Sequence, residues 1–179
     1  IGGDIHIGSQ ILESAPFVAA YKVVAEVVKD LRATGFDITT VDIGGGYGIP
    51  YDKSKGGFDI DGYKQNAAPI LKSMDAKVVI EPGRFVMAES GALLMNVEYI
   101  KKEWDKNFVI VDGGMNDYVR VAMYEAYNDI LPVTKRDGSM TADIVGPICE
   151  SSDYFAKDRA LSPVEEGDKV ALIDAGAYG

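Results

Sequence analysis

The sequence ITTVDIGGGYG, residues 38–48, decides the fold. Its β-branched and apolar residues predict a strand at Ile38–Ile43, and this strand runs directly into Gly44, Gly45 and Gly46. Glycines lack a Cβ and let backbone N–H groups approach an anion closely, and a following helix adds its positive end. The spacing matches neither a P-loop nor a dinucleotide-binding fingerprint. The stretch therefore predicts a strand-to-helix turn, which either binds phosphate or is purely structural.

Two further strands flank this one and end in a similar way. Asp4–Ile7 ends at Gly8 and Ser9, and Lys77–Ile80 ends at Glu81-Pro82-Gly83-Arg84. The three strands recur at steps of about 35–40 residues, the length of a βα repeat. In a βα barrel the carboxyl ends of all strands lie on one face, where active sites are built. We therefore expect the three turns to converge on one ligand.

Helices are predicted between these strands. The first has Ser14 as its N-cap, Pro16 in its first turn and Gly35 at its C-terminal end. The second is capped by Asp61 and continues to about Met74. The apolar side chains of the first helix fall on one face at spacings of three and four residues: Phe17, Tyr21, Val24, Val28 and Leu31.

From Phe85 onward the pattern changes to short apolar strands separated by turn signals such as Asp112-Gly113-Gly114. The strands are predicted at Leu93–Ile100, Phe108–Val111, Tyr118–Met123, Ile130–Val133, Ala142–Val145 and Val170–Ile173. They indicate an antiparallel β domain, a sandwich or small barrel, at residues 91–179. Residues 1–90 then form part of an α/β barrel. Because a closed barrel needs eight units and about 250 residues, we expect a chain truncated at both ends that needs its missing half to be soluble.

Composition narrows the class of protein. The formal net charge is -10, from 28 acidic and 18 basic residues, so the chain has no general attraction for nucleic acid or anionic membranes. The single cysteine, Cys149, excludes an internal disulfide and indicates a reducing, cytoplasmic location. No apolar run has the length of a membrane span. We therefore expect an anionic ligand to be held by local features such as backbone N–H groups and individual arginines.

Several single residues are candidates for chemistry, and each has a plainer interpretation. His6, the only histidine, can stack on a flat ring or act as a base, or it is a hydrogen-bonded structural residue. A metal site is not expected, because one His and one distant Cys show no ligand spacing. Glu81 and Arg84 share a strand end, where Arg suits a phosphate or carboxylate but a surface ion pair is equally compatible.

The second half of the chain supplies further candidates. Arg120 and Tyr124 are four residues apart, which places both on one side of a helical turn, although Tyr124 is otherwise a half-buried aromatic. Cys149, next to Glu150 in a turn, is a proton donor or nucleophile, or else an inert buried thiol. Tyr178 either contacts a phosphate through its hydroxyl or only packs.

Together these motifs are much more specific than any one of them. They occur in a fixed order along a barrel and then a β domain: His6-Ile7-Gly8-Ser9-Gln10, Gly44-Gly45-Gly46, Glu81-Pro82-Gly83-Arg84, Cys149-Glu150-Ser151-Ser152-Asp153 and Gly176-Ala177-Tyr178. The series resembles the alanine-racemase-fold, pyridoxal-phosphate-dependent amino-acid decarboxylases, and the resemblance covers essentially the whole chain. It implies the C-terminal portion of a cofactor-binding (β/α)8 barrel followed by an antiparallel β domain.

The resemblance implies a role for each motif. His6 stacks on the pyridine ring of pyridoxal 5'-phosphate, and Glu81 faces the pyridine nitrogen. Cys149, contributed across the interface of a homodimer, protonates the substrate carbon. The phosphate is surrounded by Ser9, Gly44, Gly45, Gly46, Gly83, the Arg84 backbone and Tyr178. The substrate is contacted by Arg84, Arg120, Tyr124, Glu150 and Tyr178.

The substrate implied is meso-diaminopimelate, converted to L-lysine and CO2. Its distal carboxylate suits paired arginines and its distal ammonium suits Glu150. Alternatives are a decarboxylase of the same fold acting on ornithine, arginine or carboxynorspermidine, and a non-catalytic relative that binds or regulates a partner. The family's cofactor-linking lysine lies upstream of Ile1, so we expect the chain alone to be inactive.

Overall fold

A computed structural model describes all residues, 1–179, and divides the chain into two compact units. The first unit is Ile1–Val86 and the second is Met87–Gly179. Each unit has its own buried cluster of apolar side chains. No helix in either unit has both the length and the apolar character required to cross a lipid bilayer.

The first unit is an α/β structure built on a parallel sheet, as predicted. The sheet has the order β1-β2-β3, and Val41 of the central strand pairs with Gly3 on one side and Val78 on the other. Val41 is fully buried, together with Phe17 and Tyr21. In chain order the elements are β1 Gly2–Asp4, α1 Ala15–Ala33, β2 Thr40–Asp42, α2 Ile60–Ser73, β3 Lys77–Val79 and α3 Gly83–Met87.

All three strands are shorter than predicted, and β1 also begins earlier. The strand predicted at Asp4–Ile7 ends at Asp4, although the N–H of Ile5 still donates to the carbonyl of Asp42 at 3.1 Å. Gly8 then adopts a left-handed φ of +133°, a conformation that favours glycine. The residues that follow β1 form a loop at the strand end, and Ile11 of this loop pairs with Tyr47 beyond the end of β2.

Helix α1 matches its prediction closely, whereas α2 does not begin where the sequence indicated. Ser14 is the N-cap of α1, and Gly35 follows the C-cap with a φ of +93°. For α2 the capping residue is Asp59, not Asp61, because the Asp59 carboxylate accepts the N–H of Gly62 at 2.9 Å. Asp61 lies in the first turn instead, where its charge complements the helix dipole.

The second unit is a six-stranded sheet of order β6-β9-β4-β5-β7-β8. The strands are β4 Leu93–Glu103, β5 Lys106–Val111, β6 Ile130–Pro132, β7 Met140–Val145, β8 Tyr154–Leu161 and β9 Lys169–Leu172. The two strands at the ends of this order, β6 and β8, contact each other, so the sheet curls toward a barrel. Its pairs are antiparallel except for β5 and β7, which are parallel, so a wholly antiparallel domain was not correct.

Strand β4 is shared between the two halves of this sheet. Residues 93–96 pair with β9, and residues from Val97 onward pair with β5. An irregularity in register lies between Val97 and Tyr99, at the point where the pairing partner changes. Such a bulge bends a strand and increases its twist, which allows one strand to serve both halves of a curled sheet.

Two elements of the second unit differ from the sequence-based prediction. The strand predicted at Tyr118–Met123 is wrong: Arg120–Tyr124 forms a short helix, α4, which ends at Glu125 in the left-handed conformation. Tyr118 and Val121 are both buried, and their spacing of three suits a helical turn. Strand β8 was missed, because Lys157, Asp158 and Arg159 interrupt its apolar pattern.

Candidate functional site

The carboxyl ends of the three parallel strands pack main chain against main chain. A Cβ added at Gly45 would lie 2.1 Å from the carbonyl oxygen of Glu81, and one at Gly46 would lie 2.1 Å from that of Gly8. Gly44 and Gly46 also have left-handed φ values of +68° and +94°. No other residue type fits this turn without moving its neighbours. The structure thus brings the turns after β1, β2 and β3 together, as the strand-end argument predicted.

His6 and Glu81 both flank the glycine turn. The position of a Cβ on Gly46 is 3.9 Å from His6 Cε1, and the N–H of Glu81 donates to the carbonyl of Gly44 at 2.8 Å. Both side chains are exposed at this end of the sheet. An imidazole on one side and a carboxylate on the other therefore border the same turn.

The glycine turn offers backbone donors to an anion. The N–H of Gly44 donates to the Asp42 carboxylate at 2.9 Å. The N–H groups of Gly45 and Gly46 donate to no acceptor within the chain, although Gly45 is buried. Because buried backbone donors are almost always paired in folded proteins, this turn has the donor set that a bound phosphate needs. These residues therefore fit a phosphorylated cofactor.

Arg84 is held against the loop that follows β1. Its guanidinium donates to the Ser9 hydroxyl at 3.2 Å and to the Tyr51 hydroxyl at 2.6 Å. Its Cζ is also 5.5 Å from the centroid of the Tyr51 ring. The side chain of Arg84 is buried, and Gly83 begins α3 directly before it. These contacts fix the direction of the guanidinium and join Ser9 to the strand end that carries Glu81.

Three carboxylates come together at the same end of the sheet. Oxygens of Asp4, Asp42 and Glu81 lie within 4.8 Å of one another. The cluster was not predicted from the sequence, because its three acidic residues lie far apart in the chain and show no ligand spacing. Such a group of acidic residues is common without a bound ion. It does create a negative potential next to Glu81, which favours any positively charged group there.

In the second unit, Arg120 and Tyr124 lie on α4, one helical turn apart as predicted. Arg120 is buried and donates to the Tyr118 hydroxyl at 3.2 Å, and Tyr118 in turn donates to the Asn128 side chain at 3.2 Å. The Tyr124 side chain is exposed. The helix therefore presents one fixed guanidinium and one accessible phenol.

Cys149 and Glu150 lie in an exposed turn that is organised by Asp153. The buried Asp153 carboxylate accepts the N–H of Ile148 at 2.7 Å and that of Met115 at 2.6 Å. The N–H of Asp153 donates to the carbonyl of Glu150 at 3.0 Å, which closes the turn. Asp153 was quoted in the sequence motif without a role, and a polar residue four positions after a candidate cysteine is the only signal that pointed to it.

Tyr178 lies in the left-handed region with a φ of +61°, and its side chain is exposed. The residues before it are tied to the start of the second unit, where Gly176 donates to the carbonyl of Ala88 at 2.9 Å. Tyr51, whose hydroxyl accepts a hydrogen bond from Arg84, was not among the candidates identified from the sequence.

Comparison with known proteins identifies a family. The model of the pyridoxal-dependent decarboxylase C-terminal sheet domain matches residues 27–176. A diaminopimelate decarboxylase of Aquifex aeolicus is 43% identical over 184 residues, which covers 100% of this chain and 43% of the relative. One from Helicobacter pylori is 43% identical over 176 residues, covering 97% of this chain and 43% of the relative. The chain therefore spans less than half the length of these relatives.

Solved structures give the same result. The crystal structure of diaminopimelate decarboxylase from Helicobacter pylori complexed with L-lysine has a TM-score of 0.93 and 42% identity, and the match covers 100% of this chain and 44% of that one. The enzyme from M. jannaschii in co-complex with L-lysine has a TM-score of 0.91 and 39% identity, covering 98% and 42% of the two chains.

Proposed function

The chain belongs to the pyridoxal-dependent decarboxylases, and on this premise we propose that the full-length protein decarboxylates meso-diaminopimelate to L-lysine and CO2 with pyridoxal 5'-phosphate as cofactor. The convergence of His6, Gly45 and Arg84 at the carboxyl ends of one parallel sheet is the observation that carries the proposal. The similarity to diaminopimelate decarboxylases over the whole chain supports the choice of substrate.

Different residues are proposed to contact different parts of the cofactor. In this proposal Ser9, the glycine turn, Gly83, the Arg84 backbone and Tyr178 hold the phosphate, and His6 stacks on the pyridine ring. Glu81 keeps the pyridine nitrogen protonated, and the negative potential of Asp4 and Asp42 acts in the same direction. When bound, the cofactor supplies an electron sink for the electrons that remain when CO2 departs.

In this proposal further candidate residues select the substrate and finish the reaction. Arg84, Arg120 and Tyr124 hold the distal carboxylate, and Glu150 holds the distal ammonium, with Tyr178 alongside. Cys149 Sγ then donates a proton to the carbon that has lost its carboxylate. We also propose that the protein is a homodimer in which the partner supplies Cys149. We place it in the cytoplasm, where the single thiol stays reduced.

A substrate panel tests this function directly. The full-length protein, loaded with pyridoxal 5'-phosphate, is supplied separately with meso-diaminopimelate, L-ornithine, L-arginine and L-lysine, and CO2 release is measured. We expect turnover of diaminopimelate alone, because the other three lack a second carboxylate for the arginines. Turnover of ornithine without turnover of diaminopimelate would reject the substrate.

Removal of the thiol tests the proton donor. Cys149→Ala is expected to bind the cofactor normally and to lose about 10²–10⁴-fold in kcat, the usual contribution of a positioned acid. Ser151→Ala, an exposed substitution in the same turn, serves as the matched control and should retain full activity. Full activity in Cys149→Ala would show that another group donates the proton.

A further inference from the structure

Three tyrosine hydroxyls meet inside the first unit. The hydroxyl of Tyr21 is 3.3 Å from that of Tyr47 and 3.0 Å from that of Tyr63, and Tyr47 and Tyr63 are 3.0 Å apart. A hydroxyl has one proton to donate and two lone pairs that accept. Three of them can therefore close a ring in which each donates once and accepts once, and we refer to Tyr21, Tyr47 and Tyr63 as the tyrosine ring.

Aromatic side chains pack around this ring, in which Tyr21 and Tyr47 are buried and Tyr63 is partly buried. Phe17 stacks on Tyr47 with ring centroids 4.9 Å apart, and Phe58 contacts Tyr47 edge-on at 5.5 Å. Burial first, and then the hydrogen bonds with Tyr47 and Tyr63, raise the pKa of the Tyr21 hydroxyl above its usual range. Burial likewise raises the pKa of Tyr63. The hydroxyls of Tyr21 and Tyr63 therefore stay protonated at neutral pH. Leaving a hydroxyl of this cluster without its hydrogen-bond partner is costly, because burial removes the water that would replace the partner.

The tyrosine ring is joined directly to the turns at the sheet end. Tyr21 comes from α1 and Tyr63 from α2, whereas Tyr47 immediately follows the glycine turn. On either side of Tyr47, the carbonyl of Gly46 accepts the N–H of Ile11 at 3.0 Å, and the N–H of Gly48 donates to the carbonyl of Ile11 at 2.9 Å. The position of Tyr47 thus fixes both the glycine turn and the loop that contains Ser9.

We propose that the tyrosine ring holds the glycine turn in the conformation that receives the cofactor phosphate, with Tyr47 as a positioning residue. The inference rests on the proposed function and extends it to residues that do not touch the cofactor. A turn that is already ordered loses little entropy on binding, whereas a loosened turn must be ordered by the ligand. The effect should be confined to the phosphate, since Tyr47 is joined to the turn that binds it.

The test compares two cofactors that differ only in the phosphate. Dissociation constants of the full-length apoprotein for pyridoxal 5'-phosphate and for pyridoxal are measured by cofactor absorbance. The Kd for pyridoxal divided by the Kd for pyridoxal 5'-phosphate reports how strongly the phosphate is recognised. In Tyr47→Phe we expect this ratio to fall about fivefold, equivalent to about 1 kcal/mol, with little change for pyridoxal. Tyr63→Phe opens the ring from α2 and should act in the same direction.

Phe17→Leu is the matched control, because it disturbs the same aromatic cluster and leaves the three hydroxyls in place. It should lower the thermal midpoint at least as much as Tyr47→Phe and keep the wild-type ratio. An unchanged ratio in both tyrosine variants, or an equal fall in Phe17→Leu, overturns the proposal. If the wild-type protein itself bound pyridoxal as tightly as the phosphate, the cofactor role of the turn would fail, and the inference with it.

Discussion

Gly45 is a residue at which the ends of β2 and β3 lie in close contact. A Cβ there would lie 2.1 Å from the Glu81 carbonyl oxygen and 3.1 Å from the Glu81 carbonyl carbon, so the main chain itself would have to move. Gly45→Ala is expected to lower the free energy of unfolding by about 1–3 kcal/mol, the usual cost of overpacking, and to weaken binding of pyridoxal 5'-phosphate. Chemical denaturation and cofactor titration measure the two effects.

Gly56→Ala is the control for that substitution, since a Cβ at Gly56 meets nothing within 4 Å. It should leave stability and cofactor affinity close to their wild-type values. If both alanine variants behaved alike, close packing at Gly45 would not be what holds the strand ends together.

The candidate residues show how far a sequence can predict a site. His6, Gly44–Gly46, Glu81 and Arg84 were identifiable because each directly follows a strand of a regular repeat, and the repeat itself places strand ends together. Tyr51 and Asp153 were not identifiable in the same way. Their importance comes from hydrogen bonds to residues distant in the sequence or to backbone N–H groups, and neither leaves a local pattern.

Among the elements, those with strong local signals were predicted and those shaped by tertiary contacts were not. Helix α1 has a cap, a proline in its first turn and one apolar face, so its bounds follow from its own residues. The segment at Tyr118 has apolar residues that suit either a strand or a helical turn. The structure has the helical turn, in which the Arg120 side chain is buried. Strand β8 depends on pairing with β7, which compensates for its charged residues.

Arg136, in the connection between β6 and β7, forms an ion pair with Asp168, directly before β9. The pKa of the Asp168 carboxyl lies below its usual range. The main cause is the hydrogen bond from the Arg136 guanidinium, and the second is the hydrogen bond from the N–H of Glu165. This stabilisation is therefore present above the unfolded pKa of about 3.9 and is lost as the pH falls through the lower folded value.

We expect Asp168→Asn to lower the thermal midpoint by a few degrees at pH 7, because the pair is partly exposed and screened. The difference from wild type should shrink as the pH falls below about 4, where the wild-type carboxyl also loses its charge. Thermal scans at pH 7 and at pH 3 measure this change. Asp137→Asn, an exposed neighbour of Arg136, is the control, and a pH-independent deficit in Asp168→Asn would contradict the assignment.

At the scale of the whole molecule, the order of motifs predicted the α/β class and the family. What the sequence could not specify was how the β domain closes, because the parallel pairing of β5 with β7 joins strands separated by α4 and β6. The domain boundary predicted near residue 90 and the roles of the site residues stay predictions.

The proposed dimer predicts complementation between two inactive variants. In a mixed dimer of full-length Cys149→Ala and His6→Ala, one site combines an intact His6 with an intact Cys149 from the partner protomer, and the other site has neither. With random assortment, co-expression should recover roughly a quarter of wild-type activity. Decarboxylation assays of the co-purified protein measure it. No recovery, with mixed dimers shown to form, would place Cys149 in the site of its own protomer.

Strand β9 is the last of the nine strands, yet it lies between β6 and the first part of β4. Its Val170 and Leu172 are fully buried beside Met95 and Ile130. While the ribosome is still adding residues 133–168, those two neighbours have already been synthesised and have no strand between them. The nascent β domain is therefore exposed to aggregation until residue 172 has emerged, and a pause in translation just before β9 would prolong that interval.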